Sequence, residues 1–367
     1  MKRIALDFSK QCSGEPDKGH NRWHPDIPPA LRVEQGEEVV METRDGLDLQ
    51  ITPDMVSADL ENVVLSSSHA LTGPVYVEGA EPGDLLEVTV LGIEPGSFGF
   101  TTILPGFGLL RGVFERHYLV KWDIRDGHAT STELPGVRVP DASFMGVMGV
   151  APSHDLMRRI AARESDLLGR GGFVMPPDPT NAVPDSEPIA SQGLRTIPPR
   201  ENGGNMDTKQ MTAGVRLLLP VFVEGALFSA GDAHFAQGDG ESCGTAVEMS
   251  ATLRASFQVR KGEARERNVN VPMYERDDFF TTPEMAAPRR FLATTGYPFF
   301  DDGNESEDVT LAARNAVLNM IDLLVHRGWS REQAYCICSV AVDLKISEIV
   351  DLPNVMVSAF LPLDIFT

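Results

Sequence analysis

The chain has 367 residues, enough for two domains or one large β-rich unit with a sizeable core. Asp and Glu exceed Lys and Arg by 53 − 32 = 21, a balance that disfavours nucleic-acid phosphates and anionic membranes and suits a neutral or cationic small substrate. The first residues have no apolar signal run, no stretch of about 18 apolar residues could span a membrane, and Cys12, Cys243, Cys336 and Cys338 lack CxxC spacing; a cytoplasmic protein with reduced thiols is expected.

In chain order, residues 20–35 are Pro-rich and read as an extended approach to the fold. Residues 37–46 contain a β-prone run that ends at the turn pair Asp45-Gly46. Val75 to Val77 and Leu85 to Ile93 are strands, with a tight turn at Glu81-Pro82-Gly83-Asp84 between them. Residues 96–112 are Gly-rich and apolar, either a substrate-pocket wall or a loop packed on the core. Strands at Tyr118 to Ile124 and Gly136 to Val139 precede a stretch from Phe144 whose glycines permit close backbone approach. Residues 163–200 form the longest irregular stretch.

A strand is expected within 246–262, then a helix over 308–327 with Val309, Ala313, Ala316, Met320 and Leu324 on one face and Gly328 as its stop. Ser330 to Gln333 is a capping box that opens a second helix, and the last residues read as a strand or packed tail. The fold class is therefore mainly β with α (α+β). Residues 1–160 form an N-terminal β-rich module, 161–200 a Pro-rich excursion, and 201–367 a C-terminal β-rich module with two terminal helices; the modules can also pack as one unit. Pro74 to Ala80 is echoed by Pro220 to Ala226, which marks either internal duplication or two similar hairpins.

Candidate chemistry concentrates between residues 221 and 248. Asp232 and His234 alternate by two, so a strand would turn both to one side, and Gln237, Asp239 and Glu241 follow in a Gly-rich turn. Such a run is either a solvated acidic loop or a site. His69, Asp207, Asp232 and His234 could supply a divalent metal from three separate segments, Zn²⁺ by choice of donors, with an oxygen-ligated Ca²⁺ site as the alternative. Glu241 or Glu248 would then take the proton from activated water. Asn202-Gly203-Gly204-Asn205 can present backbone N–H groups to substrate, and Gln237 adds a polar contact. Cys243 is the credible nucleophile if metal is only structural, against its plainer reading as a buried packing thiol.

These residues resemble the acetamidase/formamidase family. The resemblance rests on His69 with Thr72-Gly73-Pro74 and Val77 through Asp84, on Gly146 through Pro152, on Asn202 through Asp207, on Gly231-Asp232-Ala233-His234 with Gln237 through Glu241 and Glu248, and on Asp343 through Ser347 with Val350-Asp351. It implies hydrolysis of a small aliphatic amide to carboxylate and ammonia by a β-rich homo-oligomer. A β protein that binds Ca²⁺ and a small ligand without turnover is the competing class.

Overall fold

The computed structural model describes residues 1–277, 290–300 and 303–367. The strands around the site are β1 (Glu38–Thr43), β2 (Leu71–Val77), β3 (Leu85–Ile103), β4 (Tyr118–Arg125), β5 (Phe144–Gly149), β6 (Gly203–Asn205), β7 (Arg216–Pro220), β8 (Phe228–His234) and β9 (Glu248–Arg260), with helix α1 (His154–Gly169) after β5. All nine strands belong to one sheet. Strands from both expected β-rich modules are neighbours in it, because β9 pairs antiparallel with β1 and along β3.

Strict alternation drives β9 into the sheet: Met249, Ala251, Leu253, Ala255 and Phe257 point into the core and the residues between them do not. β3 is much longer than its apolar run suggests. Its first half pairs with β7, its second half with β4, and β9 flanks both through two irregularities of register. The Gly-rich stretch from 96 therefore divides: residues to Ile103 continue the strand, and the loop after it faces a cavity.

The echo at Pro74 and Pro220 is a shared turn. Ala80 N–H donates to Val77 O at 3.2 Å and Ala226 N–H to Val223 O at 3.1 Å, with Gly79 and Gly225 both at positive φ. The two copies also touch, since Val77 N–H donates to Gly225 O and Gly225 N–H to Ala80 O.

Helix α1 corrects the irregular stretch expected from 163. Ser153 caps its first turn by accepting from Leu156 N–H, and Leu156, Met157 and Ile160 bury its N-terminal half. A module boundary at 160 falls inside this helix.

The end of the chain forms a second layer. Strands β10 (Phe291–Gly296), β12 (Met356–Pro362) and β11 (Asp343–Glu348) make a three-stranded sheet in that spatial order, packed with helices α2 (Val309–His326) and α3 (Arg331–Ala341). Gly328, at φ 99°, ends α2: its N–H reaches Val325 O and Trp329 N–H reaches Leu324 O, the paired bonds of a Schellman motif. Ser330 and Gln333 exchange the two bonds of the capping box. The buried face of α2 is Ala312, Ala316, Val317, Met320, Ile321 and Leu324, so Val309 and Ala313 lie at its border. Cys336 and Cys338 are both buried in α3 as free thiols. No helix of the described residues is long and apolar enough to cross a membrane.

Candidate active site

The site forms where β8 ends. β8 pairs with β5 and β2 along its length and with β9 at its end, so its last residue, His234, stands opposite Phe144 of β5 and Glu248 of β9. Glu248 and His234 are thus cross-strand partners, which sequence spacing alone does not reveal. Asp207 arrives from the turn just after β6, and His69 from the segment that leads into β2. His69 backbone N–H is fixed by Thr196 Oγ1 at 2.5 Å.

These segments converge on the floor of a cavity of about 350 Å³, where His69, Asp207, Asp232, Glu241 and Glu248 are lining residues. His234 lies behind them with no exposed surface. Its Nε2 is 3.2 Å from Glu248 Oε2 and 3.5 Å from Asp232 Oδ2; His69 Nε2 is 3.8 Å from Asp232 Oδ2. Asp232, His234 and Glu248 form one group with mutually close donor atoms, and Asp207, His234 and Glu241 form a second that shares the histidine.

Two glycines make the convergence sterically feasible. A β-carbon at Gly46 would fall 2.0 Å from Asp232 Oδ1, and one at Gly146 would fall 2.6 Å from Asp207 Oδ1 and 2.9 Å from His234 Cε1. The close approach expected of the 144–150 stretch is therefore made to the site itself. Three of its acids also carry local strain: Asp207, Asp232 and Glu241 have φ of 42°, 56° and 41°, a region that non-glycine residues rarely occupy.

Gln237 fixes the histidine. Its amide N–H donates to the Asp207 carbonyl at 2.8 Å, so its oxygen faces His234 Nδ1 at 2.9 Å and must accept that proton. Nε2 is then the atom turned toward the carboxylates. His234 Nε2, Glu248 Oε2, Asp207 Oδ1 and His69 Nδ1 are buried without a hydrogen-bond partner among the described residues.

Electrostatics at the floor are lopsided, four carboxylates facing two imidazoles. Burial would raise the Asp232 carboxyl, but the charges of His69 and His234 outweigh it and hold the group well below its usual range. Burial pushes Asp207 up to about 7 and Glu248 up to about 7, against the pull of His234, and drives Glu241 well above the carboxylate range with Asp207 adding to it. Burial lowers His69, whereas in His234 the carboxylates of Glu248 and Asp232 overcome burial and raise the ring strongly. The cluster attracts positive charge, whether a proton on His234 or a cation beside it.

Those donors fit a divalent cation. Buried carboxylate oxygens and an imidazole nitrogen without a protein partner, brought close together, are the kind of donor set that could hold such an ion.

Other expected site residues lie elsewhere. Asn202, Gly203 and Gly204 form the sheet wall, not the cavity: Asn202 Nδ2 donates to Val150 O, Gly203 N–H to Arg200 O, and Gly204 pairs with Met148. The Asn202 side-chain amide and the Gly203 N–H are taken up by backbone carbonyls, and none of the three residues lines the cavity. Gln237 orients His234 and is not a lining residue of the cavity either. Cys243 is sealed from it as well; its sulfur contacts Thr102 O at 3.3 Å, and although burial raises the thiol, hydrogen bonds from Cys336, Ser339 and Thr245 bring it to about 7. Lys209, the nearest preceding lysine, ion-pairs with Asp343, whose Oδ1 also accepts Asp239 N–H at 3.1 Å. That pairing ties the turn carrying Asp207 and the turn carrying Gln237 and Glu241 to β11. No sequence signal marked Lys209, Gly46 or Thr196 for these roles.

Residues 5–367 match the acetamidase/formamidase family. The chain is 37% identical over 365 residues to an acetamidase of Mycolicibacterium smegmatis, covering 91% of this chain and 88% of that one. A formamidase of Methylophilus methylotrophus is 34% identical over 384 residues, 99% and 93% of the two chains. Among solved structures, the gamma lactamase from Delftia acidovorans superposes with a TM-score of 0.94 at 34% identity, over 100% of this chain and 93% of that one, and an acetamidase from Bacillus halodurans with 0.57 at 27%, over 95% and 96%. The chain belongs to the acetamidase/formamidase family, hydrolases that act on amide C–N bonds.

Proposed function

We propose that the chain hydrolyses an aliphatic amide to the carboxylate and ammonia at the floor of the cavity, with a divalent cation held by Asp232, His234 and Glu248, and with His69 and Asp207 at its edge. The observation that carries this reading is His234 Nε2, buried, unpartnered, and aimed between Asp232 and Glu248 by the Gln237 bond. When bound, such a cation supplies Lewis acidity to the amide carbonyl and lowers the pKa of water.

Glu241 serves as the proton carrier. Glu248 is committed, with Oε1 accepting Ala246 N–H at 2.9 Å and Oε2 turned to His234, whereas Glu241 lines the cavity beside Asp207. Burial favours its neutral form, and a cation beside it would favour the carboxylate, which takes a proton from the attacking water and delivers it to the amide nitrogen as the C–N bond breaks.

Ammonia release from acetamide by the wild type and by Glu241→Gln tests this reading. The variant should lose about 10²-fold or more in kcat. An unchanged kcat would remove Glu241 from the reaction. Self-association into a homo-oligomer belongs to the same proposal and is read from the mass in solution.

A further inference from the structure

The cavity's acids lie at its base, and Arg111, Asn205 and Thr245 add polar groups to a lining that is otherwise largely apolar or glycine. Above the carboxylates its walls are Leu47, Leu104, Phe107 and Ile197, and its rim carries Leu65 and Phe173. Phe173 is 63% exposed, and the Arg111 guanidinium lies 5.8 Å from its ring centroid, within cation–π range. Large apolar side chains exposed around a concave polar floor mark a surface that an apolar ligand covers.

Size points the same way. At a water's share of about 30 Å³, a cavity of about 350 Å³ holds roughly twelve water-sized atoms. Formamide has three non-hydrogen atoms and acetamide four. A cation and one water at the floor still leave most of the space to the acyl side, against apolar walls.

We infer that the site selects amides whose acyl group is larger and more apolar than acetyl, on the order of three to six carbons. This rests on the amide-hydrolase reading above. The reacting carbonyl sits at the acidic floor and the hydrocarbon runs up past Leu104 and Phe107 to Phe173. Phe173 is the residue that sets the upper end of the preference, since Leu47 and Leu104 are fixed in a small core of their own with Ile51, Leu60, Phe100 and Leu119.

The test is kcat/KM for formamide, acetamide, butyramide and hexanamide, measured on the wild type and on Phe173→Ser. Along the open-chain amides the value should rise roughly three- to fourfold per added methylene, the factor that one buried CH₂ supplies. Phe173→Ser, a change at an exposed ring, should lower hexanamide more than acetamide. A series that is flat or falls beyond acetamide would overturn the inference and leave the amide-hydrolase reading standing. Failure to hydrolyse any of the four would overturn both.

Discussion

Gln237 accepts the Nδ1 proton of His234 at 2.9 Å while its own N–H is held by the Asp207 carbonyl at 2.8 Å. One amide therefore sets both the tautomer of the histidine and its position against the neighbouring acidic turn. Gln237→Leu, similar in volume and without polar atoms, should lower metal affinity and kcat/KM by about 10- to 100-fold, the usual cost of losing a partner behind a ligand. Gln237→Glu keeps the acceptor and should recover part of the loss. Titration with Zn²⁺ beside steady-state kinetics checks both, and a Leu variant with wild-type affinity would separate Gln237 from the site.

Asp232 holds its place against its own backbone. At φ 56° its Cβ is strained, and its carboxylate stands among other acids. Asp232→Gly and Asp232→Ala should both abolish ammonia release, but Gly should fold more stably than Ala by about 1 kcal/mol because it alone relieves the left-handed conformation. Denaturant unfolding of the metal-free variants measures the difference.

Cys243 is a packing residue on this account. Its sulfur is closed off by Thr102 and Thr245, and its N–H is satisfied by Ser339 Oγ at 3.0 Å. Cys243→Ala should keep kcat within about twofold and cost on the order of 1 kcal/mol of stability from the small void left behind. Loss of turnover with an intact fold would restore the thiol mechanism.

His20 couples stability to pH away from the site. It is fully buried, its Nδ1 bonded to the Arg22 carbonyl and its Nε2 to Ser229 Oγ, each at 2.7 Å, and burial lowers its pKa to about 4. Below the unfolded value near 6.5 the unfolded chain takes up a proton that the folded chain refuses, so stability is full above that pH and falls as pH drops toward 4. The loss approaches roughly 3 kcal/mol at the lower end. His20→Gln should flatten the curve over that window in a thermal-shift series from pH 7 to 4.5.

Much of the fold was readable wherever the signal is local. The stop at Gly328 and the capping box at Ser330 are short motifs with one structural meaning, and the alternation in 248–260 leaves no other element. Helix α1 escaped because only its first turns bury an apolar face; Leu167 and Leu168 are exposed, and its second half reads as a polar segment running into a Pro-rich stretch. In the site, the acids and histidines announced themselves by type, since buried groups of that kind need a reason. At Gly203 and Gly204 the linear pattern is silent, because a glycine pair that could present N–H groups to a ligand reads the same as one that lets β6 pack against β5 and Trp23. Nor can any linear pattern show that Asp207, Asp232 and Glu241 share positive φ, or that Gln237 faces a histidine three residues before it.

The most direct test of the account is ammonia release from acetamide and butyramide by protein of known metal content, before and after chelation and after return of Zn²⁺. Release should fall with the metal and return with it, and Asp232→Asn should lack it even with Zn²⁺ supplied. Full turnover by metal-free protein, or by Asp232→Asn, would contradict it.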